Sequence, residues 1–302
     1  MSCLVCATEL PGGGAIRSVD RQGVVPGTFE VRVCPSCGGG TTLPPASPEE
    51  LAAFYPAAYG PHSRAGANGA LARATMAARL RTRLFRRLAG RAAGGRGAPP
   101  ALLDVGAGSG DLGELLRGRG WSVVCLEPSG AACELALERG LDARRGTLDS
   151  VELPEASFDA VVFHHSLEHV PDPVADLRRA RGLLRPGGAV AIAVPNFDSA
   201  QRRRLGADWW ALDLPRHRFH FGERSLRAAL RAGGLEPEWL RPTASVLAPA
   251  ANRQQRRSGR MRMSGPAFIA GYGLALAVYP ARWSLAEARG AGEFLAALAV
   301  PA

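Results

Sequence analysis

The sequence contains no lysine, and all 37 basic residues among its 302 are arginines. This absence excludes a Schiff base formed on a lysine amine and any phosphate-binding loop that depends on lysine. Because only 27 residues are acidic, the formal net charge is +10. Two explanations stay open. The first is genome base composition, since alanine, glycine and proline are also abundant. The second is an anionic partner, such as nucleic acid, a lipid surface or a sugar nucleotide.

Long apolar runs are also scarce. The longest lies between Phe268 and Tyr279, and it is shorter than the roughly 20 residues that a membrane-spanning helix needs. Residues 1–30 show no basic segment followed by an apolar core and a cleavage site, so no signal peptide is predicted. We therefore expect a cytoplasmic location.

Four of the six cysteines form two Cys-x-x-Cys pairs near the start of the chain. The residues between the pairs alternate between apolar and polar and carry Gly and Pro breaks, which predicts a small β-ribbon. Two such thiol pairs can surround a tetrahedral metal ion, so the pattern predicts a structural zinc ribbon. A disulfide pair is the main alternative, and the expected absence of a signal peptide disfavours it. The predicted zinc ligands are Cys3, Cys6, Cys34 and Cys37.

Three domains are expected along the chain: a zinc ribbon over residues 1–42, a linker with a basic helix over 43–98, and a large domain over 99–302. Within the linker, Leu71 to Ala92 has apolar residues at helical spacing and arginines on the remainder. Within the large domain, an apolar and basic insertion is predicted at about 245–292, before a last strand from Glu293 to Val300.

The large domain alternates strand-like and helix-like segments from Ala101 onward. Strands and helices of these lengths predict a mostly parallel sheet with helices on both faces, an α/β fold with a Rossmann-like sheet. Ligands bind such sheets beyond the carboxyl ends of the strands, where the strand order reverses. The turn after the first strand is therefore the first place to look for a site.

That turn is rich in glycine and bracketed by acids, in the segment ALLDVGAGSGDLGELL. Gly106 and Gly108 match the dinucleotide motif, but Asp111 stands where its third glycine belongs, and a carboxylate there would repel pyrophosphate. Asp104 adds a second negative charge, which favours a cationic ligand without phosphate such as S-adenosylmethionine (SAM). Glu127 ends the second strand, 23 residues after Asp104, and its two oxygens suit the two ribose hydroxyls.

Four segments in order resemble the successive motifs of class I SAM-dependent methyltransferases. They read LLDVGAGSGDLGELL, SVVCLEPS, GTLDSVELPEASFDAVVFHHSLEHVPDP and LLRPGGAVAIAVPN, and the resemblance covers residues 100–240. It implies a seven-stranded sheet, with Asp104 orienting the methionine amino group and Glu127 holding the ribose. The cofactor-binding residues that it implies are Asp104, Gly106, Ala107, Gly108, Glu127, Thr147, Leu148 and His164.

Five of the six histidines lie in two short segments, FHHSLEHV and LDLPRHRFHF. A neutral histidine can take a proton from a nucleophilic hydroxyl or an acidic C–H. A structural role stays open for each segment: Glu168 and His169 can cap a helix or bond to the backbone, and the second segment can order a loop. His165 and His169 are spaced as a metal pair, but no suitable third ligand is evident. The candidate catalytic residues are His217, His220, His164 and His169.

The predicted function is transfer of a methyl group from SAM to an oxygen or carbon of a small-molecule acceptor, such as a sugar, a natural product or a lipid-like compound. The combination of zinc ribbon and core is similar to that of nucleotide-sugar C-methyltransferases. Two alternatives stay open: an RNA methyltransferase that uses the ribbon and the basic surface, and a non-catalytic SAM-fold binding module. Residues 264–281 are a candidate for packing, oligomer contact or peripheral membrane contact. The sequence predicts neither the acceptor nor the oligomeric state.

Overall fold

We analysed a computed structural model of the chain, which describes residues 1–55, 83–92, 98–260, 266–289 and 291–302. The N-terminal part is a small antiparallel sheet. Its strands are β1 (Ile16–Val19), β2 (Thr28–Val33) and β3 (Gly40–Leu43). The predicted ribbon is thus confirmed as a small N-terminal sheet beside a cluster of four cysteines.

Two described helices follow this sheet. The first, α1 (Pro48–Ala53), begins with a capping box: the Glu50 amide donates to Ser47 Oγ at 3.2 Å, and the Ser47 amide donates to Glu50 Oε2 at 2.7 Å. The second, α2 (Arg83–Ala92), buries apolar residues such as Phe85 against the large sheet and leaves most of its arginines outside. The predicted helix from Leu71 to Ala92 is described only from Arg83, and its earlier residues lie outside the described part.

The large domain is built on a seven-stranded sheet that is parallel except at one strand. Its strands are β4 (Ala101–Val105), β5 (Ser122–Glu127), β6 (Asp142–Arg145), β7 (Phe158–His164), β8 (Leu184–Pro195), β10 (Leu235–Thr243) and β11 (Phe294–Pro301). The order across the sheet is β10-β11-β8-β7-β4-β5-β6, and β11 runs antiparallel to both of its neighbours. The strand order reverses at β4, which has β5 on one side and β7 on the other.

Helices cover both faces of the sheet, as predicted. They are α3 (Asp111–Arg117), α4 (Gly130–Glu138), α5 (Pro173–Leu183) and α7 (Glu223–Ala232). The short helix α6 (Ala200–Leu205), which follows β8, buries none of its residues and is not part of this cover. Neighbouring strand residues point to opposite faces. Leu102 of β4 packs in the core layer that includes residues of α2 and α3, whereas Leu103 packs in the layer that includes α5 and α7. The Rossmann-like fold class is therefore confirmed.

Three helices lie between β10 and β11, where the sequence predicts an insertion. They are α8 (Ala248–Ser258), α9 (Pro266–Ala277) and α10 (Tyr279–Arg289). The rings of Phe268 and Tyr272 stack at 5.7 Å in a small apolar cluster, while Ile269 and Leu274 are exposed. No helix in the described ranges combines the length and the apolar character needed to cross a membrane. Peripheral membrane contact by residues 264–281 stays a prediction.

Backbone hydrogen bonds between two strands and a buried ion pair join the small sheet to the large domain. A two-residue strand, β9 (Phe219–His220), follows β8 in the chain and pairs antiparallel with β3, so it becomes the fourth strand of the ribbon sheet. Arg216 is fully buried and makes ion pairs with Asp20 of the ribbon and with Asp213, the latter at 2.7 Å. The segment that carries β9 is therefore fixed to the ribbon sheet by backbone pairing with β3 and by the ion pair between Arg216 and Asp20.

Candidate active site and zinc centre

The four ribbon cysteines converge in pairs. Cys3 Sγ lies 3.6 Å from Cys37 Sγ, and Cys6 Sγ lies 3.5 Å from Cys34 Sγ. All four sulfurs lie within 4.8 Å of one another. Tetrahedral Zn–S bonds of about 2.3 Å place sulfurs about 3.8 Å apart, so this donor set fits a zinc ion.

The glycine turn after β4 is shaped by a close approach of the segment that follows β7. Gly106 has a φ of 72°, which favours glycine, and a Cβ built there would lie 2.5 Å from Ser166 Cβ. The Ser166 hydroxyl donates to the Val105 carbonyl at 2.5 Å. The turn and the segment after β7 therefore line the same crevice at the strand-order reversal.

Glu127 is held by the backbone at the end of β5. Its Oε2 accepts a hydrogen bond from the Gly108 amide, and its Oε1 accepts one from the Ser129 amide, both at 2.8 Å. Burial raises the pKa of this carboxyl group, and the two backbone bonds oppose the increase. Because a carboxylate has about four lone-pair sites, each oxygen keeps the capacity to accept a ribose hydroxyl.

Asp104, near the end of β4, has an unsatisfied buried acceptor. It is 2% exposed, and its Oδ2 has no hydrogen-bond partner among the described residues. Burial, together with the negative charge of Glu127, raises the pKa of Asp104 to about 7. A buried carboxylate without a partner is costly. The ammonium group of SAM would satisfy it, so the acids in this crevice fit that cofactor.

The other residues that the sequence predicts to bind the cofactor differ from one another in position and exposure. Ala107 lies in the turn, and its amide donates to the Leu126 carbonyl at 3.1 Å. After β6, Thr147 is exposed, while the Leu148 side chain is buried in the core layer beneath. His164 is half-buried at the end of β7, with its ring 6.0 Å from the ring of Phe85.

The chain changes direction sharply after β7, at His165. This residue has a φ of 59°, which is uncommon outside glycine. Its ring lies 4.8 Å from that of His164 and 4.3 Å from that of Phe294. The turn directs the following residue, Ser166, onto the glycine loop and Glu168 into the interior.

Glu168 is a buried carboxyl group without a hydrogen bond. It is 2% exposed, and neither of its oxygens has a hydrogen-bond partner within the part of the chain that is described. The sequence leaves open a helix cap or a backbone bond for Glu168 and His169. The Glu168 oxygens make neither bond among the described residues, whereas the His169 ring bonds the backbone of Arg216. Burial, with a smaller contribution from the charge of Asp213, raises the pKa of Glu168 to about 8.

Glu168, His169 and His217 meet in what we call the histidine–glutamate cluster. One donor atom from each lies within 4.8 Å of the others. The two imidazole rings cross at 82° with centroids 4.6 Å apart, and His217 Nε2 lies 4.0 Å from Glu168 Oε1. The pair that the sequence suggests, His165 and His169, is therefore not the group that converges. His217, from the other histidine segment, lies with Glu168 and His169 in place of His165.

Each histidine of the cluster is anchored through Nδ1. His217 Nδ1 lies 2.9 Å from the Ala211 carbonyl oxygen, so this nitrogen carries the proton and donates it. His169 Nδ1 lies 2.8 Å from the Tyr55 hydroxyl. Burial is the main cause that lowers the pKa of both rings, and it brings the pKa of His217 to about 4. Both histidines are therefore neutral at pH 7.

His220 is not part of this cluster. The Thr42 hydroxyl donates to the His217 carbonyl at 2.6 Å, so His220 Nε2, 3.0 Å from the same hydroxyl, is the donor to it. Burial lowers the pKa of His220 to about 3. This histidine links β9 to β3, and its assigned catalytic role stays a prediction.

Sequence reasoning missed the residues that support the cluster from elsewhere. Tyr55 lies just after α1, in a segment whose composition indicates only a linker. Arg218 is buried, and its Nε and Nη1 have no hydrogen-bond partner among the described residues. Charged residues are rarely buried, so no periodicity could have identified Arg216 or Arg218 as interior side chains.

Comparison with known proteins decides the family. A family model described as "Methyltransferase domain" matches residues 73–238, more than half of the chain. The chain belongs to this methyltransferase family. The matched range contains the four motifs from which the sequence predicts SAM as the cofactor, and the crevice beside Asp104 and Glu127 lies where such a fold binds ligands.

Curated relatives of this methyltransferase are ubiquinone biosynthesis O-methyltransferases. The protein of Xanthomonas axonopodis pv. citri is 34% identical over 150 residues, covering 45% of this chain and 63% of the relative. That of Xanthomonas campestris pv. campestris strain B100 is 28% identical over 176 residues, covering 54% and 72%. The methyltransferase thus spans less than two thirds of the length of the first of these relatives.

Solved structures support the fold of the methyltransferase. A Galdieria sulphuraria protein assigned as a sarcosine dimethylglycine methyltransferase aligns with a TM-score of 0.50 and 19% identity, over 72% of this chain and 83% of that protein. At this identity the likeness establishes the fold alone.

Proposed function

We propose that this methyltransferase transfers the methyl group of SAM to an oxygen atom of a small-molecule acceptor that binds at the histidine–glutamate cluster. The observation that carries the proposal is Glu168, a buried carboxyl group neither of whose oxygens has a hydrogen-bond partner among the described residues. Such a group is costly unless a ligand satisfies it. It lies two residues from Ser166, which packs on the glycine loop.

SAM, when bound, supplies an electrophilic methyl group. The residues proposed to hold it are Asp104 for the ammonium group, the backbone of Gly106, Ala107 and Gly108 for close approach, and Glu127 for the ribose hydroxyls. Thr147, Leu148 and His164 are proposed to border the cofactor, with Leu148 acting through packing because its side chain is buried.

The cluster is proposed to orient the acceptor hydroxyl and to receive its proton. Glu168 keeps a proton below pH about 8, whereas His217 takes one only below about 4, so the pair holds one proton at neutral pH. Since His217 Nδ1 donates to Ala211, its Nε2 is the acceptor side of the ring. Methyl transfer itself is an in-line displacement, so alignment of the hydroxyl is the main contribution of these side chains.

Two further features support an oxygen acceptor of small size. The curated relatives are named as O-methyltransferases. Arg218, whose side chain interacts electrostatically with Tyr55, has unsatisfied donors suited to a carboxylate or carbonyl oxygen of an acceptor. We therefore propose an acceptor that carries a hydroxyl together with a second, acidic or carbonyl oxygen.

The experiment is a methyl-transfer assay with SAM labelled in its methyl group and a panel of phenols, catechols and sugars. We expect transfer to oxygen for one acceptor class, with turnover falling about 100-fold in Glu168→Gln and SAM affinity unchanged. Calorimetric SAM binding without transfer to any hydroxyl acceptor would contradict the proposal. Equal turnover in Glu168→Gln and wild type would remove the cluster from the reaction.

The ribbon is proposed to hold a structural zinc ion through its four cysteines. Such a site is closed, so it offers no position for a substrate. Its proposed role is to fix the ribbon sheet, whose fourth strand β9 lies between His217 and the next helix. We also propose the division into domains at 1–42, 43–98 and 99–302, with β9 crossing the first boundary.

A further inference from the structure

The donor set of the histidine–glutamate cluster is that of a metal site. We propose that Glu168, His169 and His217 bind a divalent first-row transition-metal ion, separate from the zinc of the four cysteines. Two imidazoles and one carboxylate are a set that binds Zn²⁺ or Fe²⁺ in proteins and leaves coordination positions open. The three residues come from two loops that only the fold brings together.

The surroundings of Glu168 favour a cation. Both of its oxygens are buried without a hydrogen-bond partner among the described residues, and two imidazole nitrogens lie near Oε1: His165 Nδ1 at 3.6 Å and His217 Nε2 at 4.0 Å. These distances are too long for hydrogen bonds, so the two rings do not compensate a buried carboxylate. A cation among these donors would compensate it directly.

Both histidines are also oriented as metal ligands are. Metal-binding histidines almost always bond their other ring nitrogen to a carbonyl, a carboxylate or another polar group, which fixes the ring and its tautomer. His217 does this with the Ala211 carbonyl and His169 does it with the Tyr55 hydroxyl. His217 Nε2 then lies on the side of Glu168, 4.0 Å from its Oε1. The His169 ring also makes a hydrogen bond with the backbone of Arg216, and an ion bound to this ring would replace that bond.

Geometry and charge also favour a cation at the cluster. Ligand atoms bound to zinc at about 2.1 Å lie about 3.4 Å apart, and the three donor atoms already lie within 4.8 Å of one another. Asp213 and Asp20 pair with Arg216, and buried Arg218 adds a second positive charge near Tyr55. The two acids balance these two arginines, so the charge of Glu168 is the one that a cation would balance, and half-buried His169 gives an ion access.

The consequence for the reaction rests on the proposed function. An ion held by three protein ligands would bind the acceptor oxygen as a further ligand and favour loss of its proton to solvent. With the ion bound, this would take the place of proton uptake by His217, whose Nε2 would then be a metal ligand. The acceptor class would then be compounds whose hydroxyl, alone or with a neighbouring oxygen, can bind a cation. The site itself does not depend on that function and can be tested with a metal alone.

The test is a titration with Co²⁺ of the full chain, prepared with one zinc per molecule on the cysteines. We expect one further Co²⁺ to bind, with weak visible bands typical of nitrogen and oxygen ligands and without a thiolate charge-transfer band. Glu168→Gln should lower the Co²⁺ affinity at least 100-fold and keep the zinc. Tyr55→Phe, which removes only the support of His169, should lower it about tenfold.

Two variants control the titration. Glu127→Gln changes a carboxyl group that is equally buried but outside the cluster, so its Co²⁺ affinity should equal that of wild type. His169→Gln repeats the test on a less buried ligand if Glu168→Gln does not fold, as judged by circular dichroism and zinc content. Absence of Co²⁺ binding in wild type, a thiolate spectrum, or wild-type affinity in the cluster variants would each overturn the proposal.

The two proposals fail in different ways. If Co²⁺ does not bind at the cluster while labelled SAM methylates a hydroxyl acceptor, the metal site is wrong and the proposed function stands. If Co²⁺ binds as predicted and no hydroxyl acceptor is methylated, the metal site stands and the proposed function is wrong.

Discussion

Glu127 and Glu168 are buried to the same extent, each 2% exposed, but their surroundings differ. Both oxygens of Glu127 accept backbone hydrogen bonds, whereas neither oxygen of Glu168 has a hydrogen-bond partner in the described part of the protein. The fold itself supports the first carboxylate. The second is left for a ligand to satisfy, and this difference separates a site that positions a cofactor from one that acts on a substrate.

The two sites also differ in how far apart their residues lie in the sequence. The cofactor crevice is built from consecutive turns at the ends of β4 and β5, so its residues lie close in the sequence. The histidine–glutamate cluster joins the turn after β7 to a loop after β8 and to Tyr55 before the large domain. Changes in each site should therefore have separable effects.

The largest expected effect comes from closing the cofactor crevice. Gly106→Ala places a Cβ 2.5 Å from Ser166 Cβ at a φ of 72°, so strain and clash together should cost about 3 kcal/mol and lower SAM affinity about 100-fold. Calorimetric titration measures this. Adding Ser166→Gly removes the clashing atom and should restore part of the affinity; no restoration would contradict the assigned contact.

The two buried carboxylates should respond oppositely to neutralisation. In protein whose only bound metal is the cysteine zinc, Glu168→Gln should raise the free energy of unfolding by about 2 kcal/mol at pH 8, because it removes an unsatisfied buried acid. Glu127→Gln should lower it by about 1 to 2 kcal/mol, because a bond to a backbone amide is lost. Urea denaturation measures both.

The raised pKa of Glu168 determines how its contribution to stability changes with pH. The folded state keeps the proton up to about pH 8, whereas the unfolded chain releases it near pH 4.3. The contribution of Glu168 to stability is therefore lost as the pH rises between these values. A wild-type stability whose pH dependence above pH 6.5 matches that of Glu168→Gln would contradict this account.

SAM affinity should depend on pH through Asp104. Its pKa is raised to about 7, so below that pH a proton competes with the ammonium group for the carboxylate. Affinity should fall about tenfold between pH 8 and pH 6, since each pH unit below the pKa costs up to about 1.4 kcal/mol. Titrations across this range should show the loss in wild type and a flat, weaker affinity in Asp104→Asn.

The smallest expected effect lies at the junction of ribbon and large domain. Thr42→Val removes the hydroxyl that bonds the His217 carbonyl and His220 Nε2, and it should lower the free energy of unfolding by about 1 kcal/mol. SAM affinity should not change, because this hydroxyl is remote from Glu127 in the fold. Thermal unfolding with and without SAM measures both, and an equal loss of SAM binding would show that the two sites are coupled.

How well each site could be predicted from the sequence depends on how close together its residues lie in the chain. The alternation of strands and helices, the glycine turn and the cysteine pairs are short-range patterns, and they predict the sheet, the ribbon and the position of the crevice. The pairing of His169 with His217 depends on the path of the loop after β8. The inward turn at His165 depends on a single left-handed residue, which periodicity does not encode. Tyr55 and Arg218 carry no pattern at all.

The most direct test of the account is calorimetric titration of SAM into Glu127→Gln and Glu168→Gln, side by side with wild type. The account predicts one binding site in wild type, a loss of affinity of at least tenfold in Glu127→Gln and wild-type affinity in Glu168→Gln. Equal losses in the two variants, or unchanged affinity in Glu127→Gln, would contradict the separation of the cofactor crevice from the histidine–glutamate cluster.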